Sequence, residues 1–393
     1  MKYDLKKSKE EILASFGKKI KMSVFSWNGD IDTVMSPRDS ILYYKHFLRM
    51  GMMSIAPQTG FVKTWVGGIN YKHFKYDQVI QGSRQTGSTF KPFVYAAAID
   101  QLHYSPCDKF PDVQYCIEAG KYGNTASWCP KNSNGKFSGQ LKTLKTALAS
   151  SINTITTMLI DKVGPKPVIN LTKKLGVTAN IPSVPSIALG TADIKLSEMV
   201  AAYSTFANKG IYIKPIVVKK IKDRKGMSLY NYKPEIRDVF SHQVSYTILS
   251  LLKGVTQSGS GRRLRGHTRS GSNIYKKIVT DYPYNFEVPI AGKTGTTQNN
   301  SDGWFIGMGP DLVTGVWVGG EDRAIHFEST SYGQGASLAL PIWAIFMKKC
   351  YKDETLNISQ GDFEMPDKMS IKIDCLEKEG ESDSDPSFRD FEF

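Results

Sequence analysis

Residues 288–320, VPIAGKTGTTQNNSDGWFIGMGPDLVTGVWVGG, read as three β-strands in close succession: VPIAGKTGTT, DGWFIGMGP and LVTGVWVGGE. Each is short, β-branched or aromatic, and bounded by Gly, Pro, Asn or Asp. Two more strand candidates lie far upstream, MMSIAP from Met52 and FVKTWVGG from Phe61, joined at Gln58-Thr59-Gly60. Between the two groups, from Leu141 to about Lys253, the pattern is mostly helical: LKTLKTALASSINTITTMLIDKVG, PKPVINLTKKLG and SEMVAAYSTFANKG. A last helix candidate, ASLALPIWAIFMKKCYK, follows the third strand. Strands at both ends with helices between predict a mixed α+β fold whose sheet is assembled from both ends of the chain. The central helices then form a separate lobe, and a site between lobe and sheet lies in a cleft.

The remaining segments surround this plan. Residues 1–45 read as a connecting segment: a polar helix, a hairpin in SVFSWNGDIDTV around Asn28-Gly29-Asp30, and a helix started by Ser36-Pro37-Arg38-Asp39 that runs to Gly51. The Gly-rich approach QGSRQTGS leads into a helix, STFKPFVYAAAIDQL, beginning near Ser88. Residues 104–140, rich in Pro, Gly, Asn and Cys, and the polar stretch 256–285 read as irregular excursions to which no role attaches. The acidic end, 353–393, has few aliphatics after 375 and is expected to be disordered, leaving 46–352 as the main domain.

The 393 residues carry 51 Lys+Arg against 37 Asp+Glu, a formal charge of +14. Residues 351–393 hold 5 basic and 13 acidic side chains, net −8, so the body to residue 350 carries +22. Such a body fits nucleic acid, an anionic membrane surface, an acidic polymer, or simply solvated lysines. The longest near-apolar run, Ala336 to Met347, has 12 residues, too short to span a membrane, and the N-terminus lacks the apolar core of a signal peptide. Five cysteines at 107, 116, 129, 350 and 375 show no C-x-x-C pair, which argues against zinc. Cys107, Cys116 and Cys129 fall within 23 residues, where a disulfide forms if the compartment is oxidising; free thiols are the plain alternative.

Three short motifs carry chemistry. Ser88-Thr89-Phe90-Lys91 is S-x-x-K: on a helix the Lys91 amine reaches the Ser88 hydroxyl, a weak nucleophile that needs a base. Ser15-Lys18, Ser133-Lys136 and Ser250-Lys253 match too, and an ordinary helix cap is the plain reading. Only Ser88 follows a Gly-rich turn into a helix, where free N–H groups can stabilise an oxyanion. Ser151-Ile152-Asn153 offers a hydroxyl and an amide able to relay a proton and hold a substrate amide, against a plain capping role; Ser26-Trp27-Asn28 also matches. Lys293-Thr294-Gly295-Thr296-Thr297 occurs once and presents a cation, hydroxyls and open backbone to an anion, against an edge-strand lysine with a bulge glycine. The motifs come in a fixed order, 63 and 142 residues apart, on a helix start, a lobe loop and a strand. S-x-x-K and K-T-G together belong to the set known from penicillin-interacting serine enzymes.

With these residues in view, the chain resembles the transpeptidase domain of a class A penicillin-binding protein. The likeness extends through GFVKTWVGG, RQTGSTFKPFVYAAAI, ALASSINT, MVAAYSTFANKGIY and AGKTGTTQNNSDGWFIGMGPDLVTGVWVGG, covering about 22–350. It implies the penicillin-binding-protein and serine β-lactamase-like fold: a five-stranded antiparallel sheet between helices, beside an all-helical lobe. The implied reaction is D,D-transpeptidation through a Ser88 acyl-enzyme, with Lys91 as base and Ser151 passing a proton to the leaving amine. By the same resemblance Asn153 binds the donor amide, and Lys293, Thr294 and Thr296, around Gly295, hold the substrate carboxylate. The oxyanion hole is the main-chain N–H of Ser88 and Thr296, and no metal or organic cofactor is implied. The implied partners are peptidoglycan stem peptides, the lipid-linked precursor, β-lactams and cell-wall synthesis proteins, on the extracytoplasmic face. Class A proteins normally begin with a membrane anchor and a glycosyltransferase domain; this chain starts within what resembles the connecting segment, so glycan polymerisation is not expected of it.

Other readings stay open on the sequence. A D,D-carboxypeptidase or a serine β-lactamase resolves the same acyl-enzyme with water, although Asn153 stands where a class D enzyme has valine. A β-lactam sensor acylates without cross-linking. Nucleic-acid binding rests on charge and on GSGRRLRGHTR, which lacks aromatic interleaving.

Overall fold

Alternation along the strands determines how the sheet is covered. In the computed structural model, which describes residues 8–266, 276–277 and 279–375, the five strands are β1 (Arg49–Ala56), β2 (Phe61–Val66), β3 (Ala291–Thr296), β4 (Asp302–Met308) and β5 (Val313–Gly319). They form one antiparallel sheet in the order β3-β4-β5-β1-β2, so the two ends of the chain meet where β5 pairs with β1. Met53, Trp304, Ile306 and Trp317 point into the core shared with the lobe, while Met52, Phe305 and Val316 point to a second core under the C-terminal helix. Both faces are covered, which is why these strands read as nearly continuous apolar runs rather than as alternating ones.

The lobe contains α1 (Lys91–Leu102), α2 (Leu144–Ala149), α3 (Asn153–Val163), α4 (Pro165–Lys174), α5 (Leu196–Ala207) and α6 (His242–Gln257); α7 (Gly335–Lys352) closes the opposite face of the sheet. One core cluster joins lobe and sheet through Phe93, Leu148, Tyr203, Phe206 and Leu252. Strand β3 lies at the sheet edge that faces this lobe.

Several expectations require correction. The helix after Ser36 starts where expected, with Ser36 and Asp39 forming a capping box, but ends at Lys45, and Arg49–Ala56 is a strand. Pairing of Arg49–Gly51 to β5, in a strand that also pairs with β2 from Met52 on, outweighs the helical reading of these residues. The span 141–253 also holds short strands, including an exposed hairpin of Lys220–Lys222 and Ser228–Asn231. The acidic end is ordered through 375: Phe363 is buried, and Met369, Ile371 and Ile373 pack on the main core. A disulfide from Cys107 to Cys375 ties it down, and Cys116 pairs with Cys129, leaving Cys350 as a buried free thiol. The rest of the tail, 376–393, lies outside the described residues, as do 1–7, 267–275 and 278. Among the described residues no helix is long and apolar enough to cross a membrane.

The arginines of GSGRRLRG are engaged internally. Arg265 donates to the carbonyls of Phe286 and Val288 at 2.9 and 2.7 Å, and Arg263 reaches Ser337 Oγ at 3.2 Å. These bonds anchor the loop after α6 rather than present a basic face.

Candidate active site

Ser88 sits in a single 3-10 turn, Gly87–Phe90, that runs directly into α1. Two bonds hold this turn and its approach against both halves of the molecule, and a third tightens the turn itself. Tyr203 Oη of α5 donates to Thr89 O at 2.6 Å, Thr89 Oγ1 donates to Thr86 O at 2.6 Å, and Trp304 Nε1 of β4 donates to Gln85 O at 2.8 Å. Gly87 has φ +53°, and a Cβ there would lie 2.6 Å from Thr296 O. Only glycine lets the backbone beside Ser88 approach the end of β3 this closely. The Ser88 side chain is half-buried, and no hydrogen bond to its hydroxyl is formed among the described residues.

One helical turn on, Lys91 is fully buried. Its Nζ lies 2.5 Å from Ser151 O, 2.7 Å from Asn153 Oδ1 and 3.2 Å from Ser151 Oγ. Ser151 occupies the break between α2 and α3 with φ +58°, a conformation that is costly for a non-glycine residue and clusters at functional sites. From β3, the equally buried Lys293 donates to Ser151 Oγ at 2.9 Å and to Thr294 O at 3.1 Å. Burial, and then repulsion from Lys293, pushes the Lys91 amine well below the ordinary lysine range. Burial brings Lys293 down to about 7. Both amines are thus held below the ordinary lysine range while sharing one hydroxyl.

Helix start, lobe loop and edge strand are thus brought to one place. Lys91, Ser151, Asn153 and Lys293 form a continuous hydrogen-bonded group one turn from Ser88. The expected direct contact between Lys91 Nζ and Ser88 Oγ is not formed; catalytic hydrogen bonds of this kind often tighten only when substrate is bound. Thr294 and Thr296 each have a protein partner as well. Thr294 Oγ1 lies 2.6 Å from Ser260 Oγ, and Thr296 Oγ1 accepts from Gly335 N, at the start of α7, at 3.1 Å. Gly295 leaves room where a Cβ would lie 2.7 Å from Thr86 O.

Nothing in the sequence pointed to Ser260. It belongs to the excursion after α6, and its backbone N donates to Ala149 O at 3.0 Å, joining the end of α2 to β3. The available signal was a hydroxyl between Gly259 and Gly261 directly after a helix, a pattern too common to single out. Asn132, in the 104–140 excursion, was missed likewise and touches Asn153.

Comparison with known proteins agrees with this geometry. The family description "Penicillin binding protein transpeptidase domain" matches residues 50–321, and "Penicillin-binding protein middle domain" matches 1–48. Penicillin-binding protein 1A of Aquifex aeolicus is 34% identical over 324 residues, 81% of this chain and 40% of that protein. Its counterpart in Rickettsia bellii is 33% identical over 353 residues, 83% of this chain and 40% of its own length. The chain thus spans about 40% of the length of these relatives. Among solved structures, Penicillin-Binding Protein 1A from Haemophilus influenzae superposes with a TM-score of 0.66 at 23% identity, over 84% of this chain and 50% of that one. The PonA1 protein of Mycobacterium tuberculosis in complex with penicillin V gives 0.67 at 22%, over 94% of each chain. These two show a shared fold. A family match over well more than half the chain, on the sheet and lobe that carry the three motifs, makes this chain a member of the penicillin-binding protein transpeptidase family.

Proposed function

We propose that this domain is a D,D-transpeptidase that cross-links peptidoglycan stem peptides through an acyl-enzyme on Ser88. The observation that carries the reading is the meeting of Lys91 and Lys293 at Ser151 Oγ, one turn from Ser88. Lys91, held below the lysine range, keeps a neutral fraction able to take the Ser88 proton as Oγ attacks the carbonyl of the penultimate D-Ala. Main-chain N–H groups of Ser88 and Thr296 receive the oxyanion. Ser151, accepting from Lys293, hands its own proton to the leaving nitrogen and is resupplied across 3.2 Å with the proton that Lys91 took, so the terminal D-Ala departs as a free amine and Lys91 is neutral again. A second stem's amine then attacks the ester, forms the cross-linking amide and returns the proton to Ser88. Asn153 holds the donor's backbone amide; Lys293, Thr294 and Thr296 hold its terminal carboxylate, which a β-lactam imitates. The two disulfides favour an oxidising, extracytoplasmic compartment, where stem peptides and their lipid-linked precursor are met.

The test is labelling with a fluorescent penicillin, followed by a donor stem peptide with and without an acceptor amine. A long-lived adduct on the parent, none on Ser88→Ala, and amide product only with the amine are expected. Rapid turnover of the penicillin, or release of D-Ala with water alone as acceptor, replaces cross-linking by a hydrolase. An unlabelled, folded parent removes the acyl-enzyme reading altogether.

A further inference from the structure

Helix α3 starts at Asn153 behind Ile152, a residue with no side-chain oxygen to receive the first free N–H groups. The acceptor comes from 21 residues upstream: Asn132 Oδ1 takes Asn153 N at 2.9 Å and Thr154 N at 3.3 Å. The neighbouring Lys131 carbonyl takes Asn153 Nδ2 at 2.7 Å. A carbonyl can only accept, so this bond decides which end of the Asn153 amide faces which partner. Nδ2 must turn to Lys131 and Oδ1 to Lys91 Nζ, 2.7 Å away.

Asn132 is itself held. Its Nδ2 donates to Asp112 Oδ1 at 2.8 Å and to Lys136 O at 3.0 Å. Asp112 is buried and also accepts from Thr154 Oγ1 at 2.7 Å and from Ser138 N and Oγ at 3.0 Å each. Burial opposes ionisation of Asp112, but the bonds from Ser138, Asn132 and Thr154 outweigh it and hold the carboxyl below its ordinary value. The Cys116–Cys129 disulfide and the paired backbone bonds of Ile117 and Trp128 close the excursion just before Lys131.

We propose that Asn132 and Asp112 are positioning residues for acylation, acting through Asn153 to fix the amide oxygen that faces Lys91. The proposal rests on the reading of Ser88 as nucleophile. An oxygen facing Lys91 favours its protonated form, and the other charged group facing that amine is Lys293. Releasing the Asn153 amide therefore lowers the Lys91 pKa further. A purely structural role would reduce the active fraction without moving any pKa.

The experiment measures the second-order rate of fluorescent-penicillin acylation across pH for the parent, Asn132→Ala, Asp112→Asn, and Asn132→Asp combined with Asp112→Asn. The combined variant keeps one carboxylate and restores a donor-to-acceptor bond between the two positions in the opposite sense. A fall of about tenfold or more in Asn132→Ala, a rising limb moved to lower pH, and recovery in the combined variant are expected. If Asn132→Ala does not fold, the isosteric Asp112→Asn decides by the same pH shift. Parent-like rates and an unmoved rising limb in the folded variants overturn the proposal, whereas an unlabelled parent would instead overturn the Ser88 reading.

Discussion

The amines of Lys91 and Lys293 approach one oxygen, Ser151 Oγ, at 3.2 and 2.9 Å, although their residues lie on a lobe helix and on the sheet edge. Two buried cations cannot share a hydroxyl cheaply, so at least one must spend much of its time neutral. The proposed mechanism divides their work, with Lys91 taking a proton while Lys293 keeps its hydrogen bond to the shared oxygen.

The pH profile of acylation follows from that division. The rate requires a neutral Lys91 and should fall above about 7, where Lys293 loses its proton. Stopped-flow or gel labelling between about pH 5 and about pH 9 would show it. A rate still climbing at the alkaline end contradicts the assignment of Lys293 as the charged partner.

Stability should run the other way. Lys293 has its folded pKa near 7, below the ordinary lysine value of 10.5, so between these limits the unfolded chain binds more protons. Unfolding free energy therefore increases as pH rises across that window. Charged Lys293 costs on the order of 5 kcal/mol below pH 7, relieved on the alkaline side. Lys293→Met should flatten the dependence and raise Tm at neutral pH; thermal melts at several pH values check this.

Lys91→Arg keeps a cation but removes the proton acceptor, because a guanidinium does not deprotonate in proteins. The acylation rate should fall by about 10²–10⁴-fold. A rate within a few-fold of the parent, in a variant with parent-like circular dichroism, would assign the base to another group.

Gly87→Ala forces a side chain onto a residue at φ +53° and within 2.6 Å of Thr296 O. It should cost about 1–3 kcal/mol and remove most penicillin labelling, because the Ser88 turn is pushed off β3. Gly120→Ala, at φ +82° in open space, is the matched control and should label normally. Equal loss in both would show that backbone strain alone is responsible.

Replacing Cys107 and Cys375 together by serine should cost about 2–4 kcal/mol and expose the stretch after Lys352 to trypsin. The Cys116–Cys129 bridge stays intact in this variant. Melts under non-reducing conditions and limited proteolysis decide it; an unchanged digestion pattern means that Phe363 and Ile371 hold the tail unaided.

Whatever is written locally was legible in the amino-acid order. Turn glycines and β-branched runs marked all five sheet strands, Ser36-Pro37 marked a capped helix, and residue type with spacing pointed to Ser88, Lys91, Ser151, Asn153 and Lys293. Tertiary contacts settled the rest, because the partners that matter lie far along the chain. Arg49–Gly51 belongs to a central strand rather than to the helix because Val313–Gly319 pairs with it. The stretch from 353 to 375 is held because Cys107, 268 residues before Cys375, and the main core receive it. Asn132 gains importance from a helix that cannot cap itself, and the lysines are lowered by burial, with repulsion from Lys293 added at Lys91. Local propensity is a property of a few neighbouring residues, whereas desolvation and remote hydrogen bonds arise only when the two ends of the chain close around the lobe.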